Sequence, residues 1–228
     1  MWSFKKDIYK TENIIENGTP ILLCFDPVVM SGACSGCNII ELSKFDYMLV
    51  RFLWEYPSGG KDLDIFVGYQ NTGTIYDNDY VGYGQGATLV PPTAAPTDAY
   101  LWWATDDVNG NGSGPPETGV EAVIIGINSF ITGNTTTNEF IDISLNATWY
   151  EIINDGKMLL ELTTYTGGTM QQSGTDIINV GGGLSNPITT NEIHVTSQSG
   201  SVNVGDAQNL GTLRYNKLTN TGVIILTT

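Results

Sequence analysis

From Phe140 to Ala147 the chain alternates: Ile141, Ile143, Leu145 and Ala147 are apolar, and Asp142, Ser144 and Asn146 between them are polar. A period of two places each set on its own face of a β-strand, one face dry and the other wet. Short β-branched or aromatic runs bounded by Gly, Pro, Asn or Asp recur along the sequence and carry the same strand signal. They predict strands at 21–25, 47–56, 63–69, 99–105, 120–130, 140–153, 157–165, 192–197, 212–215 and 223–226. Asn154-Asp155-Gly156 tolerates positive φ between two such runs and predicts a β-hairpin there. Pro57-Ser58-Gly59-Gly60 predicts a turn between 47–56 and 63–69. Helical signal is sparse. Residues 5–16 read as a short helix or as an extended arm, because Ile8, Tyr9, Ile14 and Ile15 do not share one helical face. Residues 41–48 hold at most one helical turn. There is no heptad pattern and no long internal repeat.

Many short strands at this spacing predict an all-β chain, an antiparallel β-sandwich or jelly-roll-like fold. The expected organisation is an N-terminal docking arm at 1–20, a β-sandwich at 21–186 and a C-terminal β extension at 187–228, packed on its own chain or on a neighbour's. Loops are expected at 89–98, which is Pro-rich, at 106–119, which is nearly all turn formers, and in the Gly-rich stretch 166–186.

Composition narrows the function classes. Only 14% of the 228 residues are charged, against about 25% in ordinary globular chains. Those charges divide into 24 acids and nine bases, a net of −15. Such a chain lacks the dense Lys/Arg field that nucleic-acid binding or an anionic membrane surface requires. No apolar run of signal-peptide length follows Met1–Asp7, and none approaches the length of a spanning helix, so neither feature is expected. Cys24, Cys34 and Cys37 read as thiols in a reducing compartment.

Few residues suggest chemistry. Asp107-x-Asn109-x-Asn111-Gly112 matches the first half of a calcium loop, but Thr118 stands at the twelfth position and Glu117 is one residue early. Cys34-Ser35-Gly36-Cys37 with Cys24 offers three thiolates where zinc takes four ligands, and His194 is far away in sequence. His194 is also the sole imidazole for any nucleophilic triad, and no Gly-x-Ser-x-Gly elbow accompanies it. The glycine clusters at 181–183 and 82–86 lack phosphate-binding frames and read as turns, so no cofactor is expected. Two carboxylate pairs remain. Asp62 and Asp64 are two apart at a strand start and share a face; Asp106 and Asp107 follow an aromatic run. Paired acids beside sugar-stacking rings suit glycan cleavage, and the rings alone suit glycan binding through Trp54, Trp102 or Trp103. The same rings equally suit a core, and acids at strand ends equally suit an ordinary surface.

Low charge, abundant Thr, Asn and Gly, short strands and no evident site suit a rigid β protein that packs against copies of itself. Trp2, Phe4, Ile8 and Tyr9 would dock its arm. The runs Gly60-Lys61-Asp62-Leu63-Asp64-Ile65, Gly119-Val120-Glu121-Ala122-Val123-Ile124-Ile125 and the segment from Leu160 to Met170 resemble segments in structural virion proteins of crAss-like tailed bacteriophages. The resemblance spans roughly Tyr47 to Gly183. It implies a non-enzymatic virion component made in the host cytoplasm: a head fibre, a capsid decoration or a tail-associated adaptor. The expected partners are its own copies, as a trimer, and other virion proteins, with a host-surface glycan under the alternative reading as a carbohydrate-binding module or adhesin. The missing coiled-coil shaft favours a compact decoration or adaptor over a long fibre.

Overall fold

The computed structural model describes residues 15–16, 19–20, 39–56, 62–90, 98–108, 117–150 and 157–227. The chain divides after Cys37 into two units. In the first part, β1 (Ile15–Glu16) and β2 (Thr19–Pro20) pair antiparallel, Ile15 opposite Pro20. The predicted strand at 21–25 and most of the predicted arm, 1–14, lie outside the described residues.

The second part is an antiparallel sandwich of two six-stranded sheets. The first sheet contains β3 (Ile39–Leu42), β5 (Leu63–Gln70), β6 (Tyr80–Gly82), β10 (Phe140–Trp149), β15 (Gln208–Asn216) and β16 (Thr221–Leu226), in the order β3-β16-β15-β10-β5-β6. The second contains β4 (Tyr47–Tyr56), β7 (Thr88–Leu89), β8 (Leu101–Trp103), β9 (Glu117–Ile125), β11 (Lys157–Thr166) and β14 (Leu184–Thr189), in the order β14-β11-β4-β9-β8-β7. A hairpin of β12 (Met170–Ser173) and β13 (Asp176–Asn179) covers the outer face of the second sheet. No helix of the described residues is long and apolar enough to cross a membrane.

The alternation of β10 sets the core. Ile141, Ile143, Leu145, Ala147 and Trp149 point inward beside Leu63, Ile65, Val67 and Tyr69 of β5. Val50 and Phe52 of β4, Val123 and Ile125 of β9, and Leu160 and Leu162 of β11 belong to the same core. Each of these large side chains contributes roughly 1.5–3 kcal/mol by leaving water. The face expected to be wet is also covered: Asp142, Ser144, Asn146 and Thr148 are all buried. Their hydrogen bonds replace water. Asn146 donates to the Phe66 carbonyl (3.2 Å), Thr148 meets the Ser197 hydroxyl (2.8 Å), and Asp142 receives a two-pronged contact from Arg214 (2.8 and 2.9 Å).

Several sequence expectations change in the fold. The runs on either side of 151–156 do not form a hairpin: β10 pairs with β5 and β15, and β11 with β4 and β14. β4 and β5, on either side of 57–61, likewise belong to opposite sheets. In both places the chain crosses the sandwich, because the inward apolar rows are satisfied by burial against the facing sheet as well as by a neighbour in the same one. The run 120–130 ends as a strand at Ile125 and turns into a helix, Ile127–Gly133. Phe130 of that helix stacks on Tyr69 at 4.0 Å and meets Tyr100 edge-on at 5.3 Å. Residues 192–197 hold only an isolated bridge, Ile193 opposite Met158, and 41–48 hold no helix.

Residues 187–228 are not appended to the sandwich. The expected boundary falls inside β14, and β15 sits between β16 and β10 within the first sheet. Their Thr-rich, polar sequence hides this, since only alternate positions such as Leu213 and Tyr215 reach the core.

Candidate functional site

β6 pairs only with Phe66, Val67 and Gly68, so the start of β5 has no β6 partner beside it. Asp62 and Asp64 stand there, and Asp106 arrives from the segment that leaves β8. One carboxylate oxygen from each of the three lies within 4.8 Å of the others. The structure thus joins the two acid pairs marked in the sequence through three of their four members.

Asp64 is the deepest of the three. It is 0% exposed, and neither of its carboxylate oxygens has a hydrogen-bond donor. Burial, then Asp62, then Asp106 push its pKa up to about 8. Asp106 is half-buried, with one buried oxygen, Oδ1, that also lacks a donor. Burial raises its pKa, and a hydrogen bond with Glu121 opposes the rise.

Glu121 lies behind the cluster and was not foreseen. It is fully buried on β9, accepting from Trp103 Nε1 at 2.9 Å and from the Asp107 amide at 3.2 Å. Burial holds its pKa well above the ordinary carboxylate value, and its side chain shares a hydrogen bond with Asp106. The signal was in the sequence: one acid inside the apolar run from Val120 to Ile125, sharing parity with the inward residues Val123 and Ile125.

The other marked residues separate. Asp107 uses Oδ2 to accept from the Val120 amide at 3.0 Å, which fixes the chain where β9 begins to bury. Asn109 and Asn111, the rest of the calcium-loop pattern, lie outside the described residues, as do Trp2, Phe4, Ile8, Tyr9 and the three cysteines. Trp54 is 3% exposed, its indole laid against Gly119 of the neighbouring strand, and Trp103 is held inside by Glu121. Neither ring offers a face for stacking a sugar. Trp102 is half-buried against the outer cluster of the second sheet. His194 is exposed, with its Nε2 3.6 Å from Glu192.

A second feature lies at the β14 margin. The β12–β13 hairpin buries Met170 and Ile177 over Tyr47, Leu49, Ala122 and Ile124 of the second sheet. Arg51 ties it down, reaching Asp176 at 2.6 Å, the Ile177 carbonyl at 2.7 Å, and Glu161. Past that tie the chain turns its apolar residues outward: Ile178, Val180 and Leu184 are 40%, 54% and 78% exposed. Among the described residues the sheet ends at β14.

No family model matches the chain, and no curated protein or solved structure is similar to it.

Proposed function

We propose that the chain is a structural subunit, a virion component of the capsid-decoration, head-fibre or adaptor kind, that works by packing against its own copies and neighbouring subunits. The observation that carries this reading is three exposed aliphatic side chains: Ile178 and Val180 where the β12–β13 hairpin ends, and Leu184 where edge strand β14 begins. Burial of such aliphatic side chains is favourable wherever a partner covers them. The occupant is the first ten residues of a second copy. They carry Trp2, Phe4, Ile8 and Tyr9, three of the nine bases and only one of the 24 acids. A basic, aromatic segment is complementary to the acidic remainder of a neighbouring chain. Glycan binding has less support, because two of its three candidate rings belong to the core.

Hydrogen exchange of the full chain tests this. Amide protection around 178–186 rises with protein concentration in the wild type, and Leu184→Asp or deletion of residues 1–17 removes the rise while β10 stays protected. Protection that ignores both concentration and these changes contradicts it.

A further inference from the structure

The geometry points to a calcium site at Asp62, Asp64 and Asp106, separate from the calcium-loop pattern at Asp107 and independent of the subunit contacts proposed above. Two observations meet here. The first is the spacing. Two oxygens bound to one Ca²⁺ stand at most about 4.6–5.2 Å apart, twice the Ca–O bond length. Oxygens from all three carboxylates fall within 4.8 Å of one another, inside that limit. The second is the state of Asp64. Its side chain is fully buried and points into the cluster, and no donor reaches either oxygen. Asp106 brings a further buried oxygen without a donor. Carboxylates are not left in this condition at no cost; a buried anion needs a counter-charge or a donor.

The donor set selects the ion. Three carboxylates and no imidazole or thiolate in the cluster suit a hard cation and disfavour copper or zinc. Mg²⁺ requires oxygens at about 2.0–2.1 Å in a near-ideal octahedron, a tighter cage than this spacing limit demands, whereas Ca²⁺ accepts irregular sets of 6–8 oxygens. The placement also gives the ion a job. Asp62 and Asp64 belong to the start of β5 in the first sheet, and Asp106 to the β8–β9 connection of the second. A cation bound by all three cross-links the sheets at a margin where carboxylates otherwise repel. Glu121 bonds Asp106 from behind and fixes its orientation, the usual role of a residue one layer behind a metal ligand.

The test uses the full chain, stripped with EDTA and dialysed, and titrated with CaCl₂ or MgCl₂ by calorimetry and thermal unfolding. One Ca²⁺ binds per chain, and at a hundredfold excess over its dissociation constant it raises the unfolding midpoint by roughly 5–10 °C. Mg²⁺ at equal concentration does much less. Asp64→Asn lowers Ca²⁺ affinity by roughly 100-fold or more, yet in EDTA it melts close to wild type, since a buried carboxyl that no donor reaches is exchanged for an amide of the same shape. Asp106→Asn gives the same affinity loss and serves if the first variant does not fold. Absence of Ca²⁺ heat and midpoint shift up to millimolar concentrations overturns the site, as do undiminished binding by the variants or an equal response to Mg²⁺. None of these results bears on protection at 178–186, so the calcium site and the subunit contact fail separately.

Discussion

Gly119 sits opposite Trp54 in the β4–β9 ladder, and a Cβ there would lie 2.0 Å from the indole. The absent side chain lets the ring lie flat over the strand. Gly119→Ala therefore forces Trp54 out of its seat and costs about 1–3 kcal/mol, the usual range for overpacking. Urea denaturation followed by tryptophan fluorescence reads both the loss and the displaced ring. Tyrosines give a second residue-scale prediction. Burial, then Tyr165 and Asp46, push Tyr47 up to about 12; burial and Asp46 do the same to Tyr215. A phenol whose folded pKa lies above its unfolded value of 10.0 stabilises the fold fully below that value and loses the contribution as pH rises through 12. Phenolate absorbance from these two rings thus appears only near pH 12, together with the loss of β-sheet circular dichroism. Absorbance complete by pH 10 in the folded chain contradicts the burial. The candidate site was partly legible at this scale. Asp62, Asp64 and Asp106 stand out as acids at strand ends. Glu121 does not, because a single acid in an apolar run reads as a strand's solvent face until its neighbours' parity is checked.

Arg51 ties down the β12–β13 hairpin, beside the burial of Met170 and Ile177. Arg51, on β4, reaches two acids and a carbonyl from a position 19% exposed. Arg51→Ala leaves Glu161 and Asp176 facing each other without a cation and costs about 2 kcal/mol, between the values for exposed and buried pairs. Amide exchange then quickens first in β12 and β13 while β10 stays protected; uniform quickening across both sheets contradicts a local tie. Element types were legible where alternation was long: β4, β5, β10 and β11 begin where the pattern predicts. Partners were not. A period of two says which residues face inward, and both a hairpin and a crossing to the opposite sheet satisfy it. The short strands β6, β7, β12 and β13 were missed because two to four residues hold too little pattern. The helix Ile127–Gly133 was hidden by the β-branched run that leads into it.

At the scale of the molecule, the sandwich fills its interior from both sheets and leaves several large aliphatics outside, Ile178, Val180 and Leu184 among them. Net charge of −15 keeps free chains soluble and also opposes their association. The proposed contact between copies therefore needs apolar cover and local basic charge together, which the first ten residues combine. Raising ionic strength screens the repulsion between acidic bodies and the attraction of the basic segment alike. Apolar cover at Leu184 survives screening, so association persists in high salt and fails when Leu184 is replaced by Asp. The most direct measurement is the mass of the full chain in solution, by sedimentation equilibrium over a range of protein concentrations. A self-associating subunit gives a multiple of 24.6 kDa, threefold if the trimer forms, and Leu184→Asp returns it toward the single-chain value. A wild-type mass of 24.6 kDa at every concentration contradicts a protein that works through contact with its own copies.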